Sequence, residues 1–216
     1  CNVSFDQYLE SDAKLLAFKR AVNAAKQAGM AMWLYDERGY PSGNAGGLTL
    51  RDHPHWEARG LLVATRECES GPLVMDLPPG QLTLAAAFPV RDRRIDLTDR
   101  VNLEGRIRDG KLNWEAPPGR WRVMAITEDH LFEGTHAAGN LHAKIPYVNL
   151  LMPEPTARFA ELTYGGYSRH LGNDLGKYFT ATFTDEPSLM SLFLQPMPYS
   201  PLPWSPNLPV EFRKRR

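Results

Sequence analysis

Two pairs of carboxylates stand where an apolar run stops. Asp36 and Glu37 close the run WLY in the stretch WLYDERGYPSGNAGG, residues 33–47, and Asp185 and Glu186 follow YFTATF, residues 178–183, in the stretch TDEPSL. Hydrolysis of a glycosidic bond needs such a pair: an acid that protonates the leaving oxygen, and a second carboxylate that serves as base or nucleophile on the opposite face. An inverting pair keeps its carboxyls roughly 6.5–9.5 Å apart to admit water. Successive residues of an extended segment point to opposite sides, so at most one member of each pair is expected in a shared cavity, its neighbour bonding to backbone or to a partner strand. Gly43, Gly46 and Gly47 let backbone approach a ligand. Ser42, Asn44, Trp33, Tyr35 and Tyr40 offer the hydroxyl, amide and aromatic surfaces that sugars use. The plainer reading of an acidic pair before Pro or Gly is a turn, with the Asp capping a following helix.

The elements that must hold these residues are legible. In DAKLLAFKRAVNAAKQA, residues 12–28, Leu15, Phe18, Val22 and Ala25 recur at helical spacing, with Ser11 as cap at the start and Gly29 at the end. MAMWLY, residues 30–35, then reads as a short buried strand of the kind found in parallel sheets. The order repeats later: Phe159, Leu162, Tyr167 and Leu171 mark a helix weakened by Gly165 and Gly166, and the strand YFTATF follows. Between the copies, from about residue 61 to 129, short alternating runs separated by LPPG, RDGK and APPGR predict an inserted antiparallel β unit, a β-sandwich by this reading, with a hairpin turn at Asp109-Gly110. The fold expected is α/β, two segments of a (β/α) framework at 1–55 and 133–194 interrupted by a β unit at 56–132. A Pro-rich extended segment, 195–216, is expected at the end, as loop or linker.

Composition narrows the function. Among 216 residues, 25 basic side chains balance 25 acidic ones, which removes any global charge argument for nucleic acid or an anionic membrane. No apolar run has the length of a membrane span, and Cys1 and Cys68 form neither a disulfide framework nor a metal motif. His136 and His142, in a Gly- and Ala-rich loop, could touch metal or sugar but more commonly such loop histidines are solvated. Trp114 and Trp121 read as core, Ser42 lacks a nucleophile-elbow context, and the terminal RKRR reads as a solvated charge run. Beginning with Cys and ending in EFRKRR, the chain is expected to be a fragment of a longer protein.

Taken together, LYDERGYPSGNAGG, PPGRWRV, YVNLLMPEPTARFAELTY, ATFTDEPSL and LPWSPNLPVEF resemble glycoside hydrolase family 106, the α-L-rhamnosidases and their relatives, from about Ala17 to Glu211. That resemblance implies a partial TIM-like (β/α) barrel with the β-sandwich-like unit inserted. It implies a secreted or periplasmic enzyme that releases terminal α-L-rhamnose from plant polysaccharides or glycosides with inversion, assisted by a calcium ion. Its site residues carry over as Tyr35, Asp36 and Glu37, and as Thr184, Asp185, Glu186, Pro187 and Ser188. Glu186 is then the expected acid or base, and Glu37 its partner or a sugar or calcium ligand. The chain has room for two or three βα units of eight, so its partners would include the remaining barrel segments of a parent chain. Two rivals stay open: a carbohydrate-binding protein without catalysis, and a fragment inert by itself because its strand edges are open.

Overall fold

In the computed structural model, residues 9–131, 146–189 and 197–215 are described. They fall into two compact units, the first drawn from Cys1–Ala58, Phe132–Ser191 and Ser205–Arg216, the second from Arg59–Leu131 and Leu192–Trp204.

The first unit opens with helix α1, Asp12–Gln27. Ser11 accepts the Lys14 N–H at 3.4 Å, and the far end closes with Gly29 at φ 70°. There Gly29 N–H bonds the Lys26 carbonyl and Met30 N–H the Ala25 carbonyl, the pairing that satisfies the last orphan carbonyls of a helix. Strand β1, Met32–Tyr35, follows at once. Later in the same unit come helix α2, Pro153–Ala160, a π-helical turn at Glu161–Gly165, and helix α3, Gly166–Leu171. Strand β10, Phe179–Phe183, pairs β1 in parallel, Met32 opposite Phe179 and Tyr35 opposite Phe183. Val22, Leu34, Phe159, Tyr167, Leu171 and Phe179 make the core that fixes this pair to its helices. Helix α4, Leu208–Lys214, closes the unit.

The second unit is wholly antiparallel. Its larger sheet is built from β2 (Arg59–Cys68), β4 (Gln81–Arg91), β5 (Arg94–Ile95), β6 (Val101–Asn102), β9 (Trp121–His130) and β11 (Ser200–Trp204), with β2, β9 and β4 adjacent at its centre. The smaller sheet orders β3 (Gly71–Asp76), β8 (Lys111–Ala116) and β7 (Ile107–Arg108). Alternate residues of both sheets, including Ala64, Leu73, Met75, Leu112 and Val123, share one core. Trp114 and Trp121 pack against it, edge to face with each other at 5.5 Å between ring centroids. Asp109 and Gly110, both at positive φ, form the turn between β7 and β8.

Two expectations change. The partial TIM-like barrel is not what the chain forms: strand outweighs helix, most strands lie in curled antiparallel sheets, and β1–β10 is the one parallel pair among the described residues. A helix followed by a buried apolar strand is the local signature of any parallel pair covered by helices, and two such copies specify a pair, not a closed ring. The Pro-rich segment is also more regular than an extended loop. Ser200–Trp204 joins β2 as an edge strand, with Pro201 and Pro203 two residues apart so that both missing N–H groups fall on one side. Among the described residues no helix is long and apolar enough to cross a membrane.

Candidate functional site

Parallel pairing brings the C-terminal ends of β1 and β10 side by side, the end of a parallel sheet where ligands bind. Asp36 N–H extends the ladder to the Phe183 carbonyl at 3.2 Å. Beyond that point Ser42 stitches the two strand ends together. Its N–H donates to the Asp185 carbonyl at 2.8 Å, its Oγ accepts the Asp185 N–H at 2.8 Å and donates to Asp36 Oδ1 at 2.6 Å. The buried Tyr147 hydroxyl, its pKa pushed up by burial, donates to the Ser42 carbonyl at 2.6 Å. Ser42, expected on a ligand surface, is buried and spends its hydrogen bonds on this seam.

Glu37 holds the glycine-rich loop from inside. Its Oε2 accepts the N–H groups of Gly43, Asn44 and Ala45, at 3.2, 2.8 and 2.7 Å, and its Oε1 those of Gly46 and Arg38, at 2.7 and 2.8 Å. Five donors fill the lone-pair directions that a carboxylate has. Burial pushes its pKa up, and the backbone N–H groups pull against that. The winding that aims successive N–H groups inward needs left-handed residues: Gly43 lies at φ 137°, where a Cβ would also stand 3.0 Å from Val148 Cγ2 and 3.1 Å from Tyr147 Oη. Asn44 is tied through Nδ2 to the Pro146 carbonyl at 2.7 Å, while its buried Oδ1 meets no hydrogen-bond donor among the described residues.

Asp36 is fully buried and ringed by hydroxyls. Besides Ser42, Tyr164 donates to Oδ2 at 2.5 Å and Thr184 to the same oxygen at 2.7 Å. Tyr164 comes from the π-helical turn, whose extra residue re-aims the side chains that follow a regular helix. Burial, then the bond to Asp36, raises the Tyr164 pKa, so the hydroxyl keeps its proton and donates. Sequence reasoning did not single out Tyr164 or Tyr147. The break that Gly165 and Gly166 put in the predicted helix was the one signal near Tyr164.

Asp185 and Glu186 are placed differently. Asp185 Oδ2 accepts the Tyr35 hydroxyl at 2.9 Å, and that hydroxyl also contacts the Gly39 carbonyl at 2.5 Å; burial first, then Asp185, raises the Tyr35 pKa. Glu186 is exposed and sits at φ 37°, a left-handed conformation rare for a residue with a Cβ. Tyr40 donates to its Oε2 at 2.5 Å, and this bond pushes the Tyr40 pKa up to about 12. Alongside, Tyr35 stacks on Phe183 with ring centroids 5.8 Å apart. Trp33, two residues before Tyr35 and therefore on the same face of β1, is 68% exposed opposite the small Ala181. An aromatic shelf thus runs along the strands toward the carboxylates.

Glu37 and Asp36 are not arranged as ligands for a calcium ion. Calcium takes six to eight oxygen ligands, several of them carboxylate, whereas the N–H and O–H donors at Glu37 and Asp36 already occupy the charge a cation would meet. Among the described residues no group of three or more His, Cys, Asp or Glu could hold a metal. His136 and His142 lie outside the described residues.

No family model matches the chain, and neither a search of curated proteins nor one of solved structures returns a match.

Proposed function

We propose that the paired strand ends form a carbohydrate site of glycoside hydrolase type, with Glu186 as the carboxylate that meets the glycosidic bond. The observation that carries this reading is the Glu186–Tyr40 pair: an exposed carboxylate on a left-handed residue, one oxygen held by a tyrosine hydroxyl and the other facing no donor among the described residues. A strained, locally supported residue at a strand end is where function concentrates. The Trp33, Tyr35 and Phe183 shelf supports a sugar ring by its apolar face, and Asp185, held by Tyr35, is the neighbouring carboxylate. The choice of terminal α-L-rhamnose, inversion, and a secreted or periplasmic setting rests on the motif resemblance alone.

A second reading has its own support. Pairing Glu186 with Glu37 requires Glu37 to leave its five N–H donors, so a site that binds sugar without cleaving it is favoured by that geometry. The two readings separate in one experiment: rhamnose release from an aryl α-L-rhamnoside, with L-rhamnose binding followed by calorimetry, for the chain and its Glu186→Gln variant. Hydrolysis that collapses in the variant establishes the first reading. Binding without turnover in both proteins establishes the second, and neither binding nor turnover rejects both.

A further inference from the structure

The parallel pair has a second end, where β1 and β10 begin, and the sugar site does not use it. There Lys26 and Met30, from the junction of α1 with β1, and Lys177, Tyr178 and Thr180, from the start of β10, line a cavity of about 230 Å³. The acidic pairs stand past the opposite ends of the same strands, and neither Glu186 nor Tyr40 lines this cavity.

Charge decides what the cavity can receive. Its lining includes two lysines and no acidic residue. Both ammonium groups approach the Tyr178 ring, Lys26 Nζ at 4.6 Å and Lys177 Nζ at 5.2 Å from the ring centre, so two like charges are near neighbours. They are not equivalent. Lys26 donates to both carboxylate oxygens of Asp174, at 2.8 and 2.9 Å, in a partly buried pair. Lys177 is exposed and meets no carboxylate among the described residues. One positive charge is therefore left over at the cavity, which a single carboxylate neutralises and a dianion would exceed. The negative end of the α1 dipole is blunted here, because the Ala24, Ala25 and Lys26 carbonyls already accept the N–H groups of Ala28, Met30 and Gly29. Met30, 59% exposed beside the lysines, adds a polarizable apolar surface next to the Tyr178 ring. The volume admits about one ring, at the small end of ligand pockets.

We propose that this cavity binds a small organic monocarboxylate, its carboxylate paired with the Lys177 ammonium and its apolar body against Met30 and Tyr178. It is distinct from the sugar site and stands or falls independently of it.

Benzoate is the probe, followed by ligand-observed NMR titration of the whole chain, with benzamide as its neutral counterpart and inorganic phosphate as a competing anion that lacks an apolar body. Benzoate should bind saturably, and benzamide about tenfold more weakly for want of the charge-assisted bond. Phosphate should displace benzoate no better than chloride does at equal ionic strength. Lys177 and Met30 both occupy exposed positions, so their variants are expected to keep the fold, which the thermal unfolding midpoint checks. Lys177→Met should weaken benzoate binding about tenfold or more, and Lys177→Arg, which keeps the charge, should retain it. Met30→Glu places a carboxylate in the lining and should abolish benzoate binding with both lysines still present. Glu186→Gln should leave it unchanged. The proposal is overturned by absence of saturable binding, by equal affinity for benzoate and benzamide, by phosphate displacing benzoate beyond the chloride control, by binding that survives Lys177→Met and Met30→Glu in folded protein, or by its loss in Glu186→Gln.

Discussion

Glu37 and Glu186 are the same residue type in similar sequence contexts, and their surroundings give them opposite work. Five backbone donors make Glu37 an internal staple. In Glu37→Gln, whichever oxygen becomes the amide NH2 must face two or three N–H donors, so we expect a loss of about 2–4 kcal/mol in urea unfolding, well beyond that of an exposed Glu→Gln change. Among the described residues Glu186 has one hydrogen-bond partner to lose, Tyr40. Under the hydrolase reading, Tyr40→Phe removes a bond to a charged group worth about 1.5–3 kcal/mol, so turnover of the aryl rhamnoside should fall roughly tenfold to a hundredfold with stability nearly unchanged. Parity predicts that at most one member of each acidic pair reaches a shared cavity; in the structure Asp36 meets hydroxyls, Glu37 backbone N–H groups, Asp185 the Tyr35 hydroxyl and Glu186 the Tyr40 hydroxyl. Which member does which was illegible, because the Glu37 cage depends on backbone winding across Gly43 to Gly46, and no single-residue preference announces that five N–H groups converge.

At the scale of elements the legible parts are those whose signals are local. The Ser11 cap and Gly29 stop of α1, the apolar runs of β1 and β10, and the Asp109-Gly110 turn each follow from residues within a few positions of one another. Ser11→Ala should cost about 0.5–2 kcal/mol through the lost cap, and circular dichroism melting would measure it. Gly43→Ala combines a left-handed backbone with a Cβ pressed on Val148 and Tyr147, and should cost about 1–3 kcal/mol on the same assay. The barrel expectation failed for a non-local reason: it concerned how many strands join one sheet, and the chain between the copies turns back on itself in antiparallel sheets instead. The edge strand Ser200–Trp204 was obscured by its prolines, which forbid a central strand yet suit an outer one. The π-helical turn was visible only as a pair of misplaced glycines.

The molecule as a whole has two cores, and each answers to its own residues. Leu112 is fully buried in the second unit; Leu112→Ala should remove about 2–5 kcal/mol, seen as faster amide hydrogen exchange across β3, β4, β8 and β9. The first unit is assembled from chain segments that lie on either side of the second. Its defining contacts are therefore remote in sequence: Thr184 reaches Asp36 across 148 positions, and Tyr35 reaches Asp185 across 150. Such contacts slow folding, because the loop they close must be gathered before they form. During synthesis β1 emerges long before its partner, and at about 5–20 residues per second it waits roughly 7 to 30 s for β10. Through that interval Met32, Leu34 and the exposed Trp33 have no strand to lie against, so the segment that later carries the aromatic shelf stays an uncovered apolar stretch of the nascent chain.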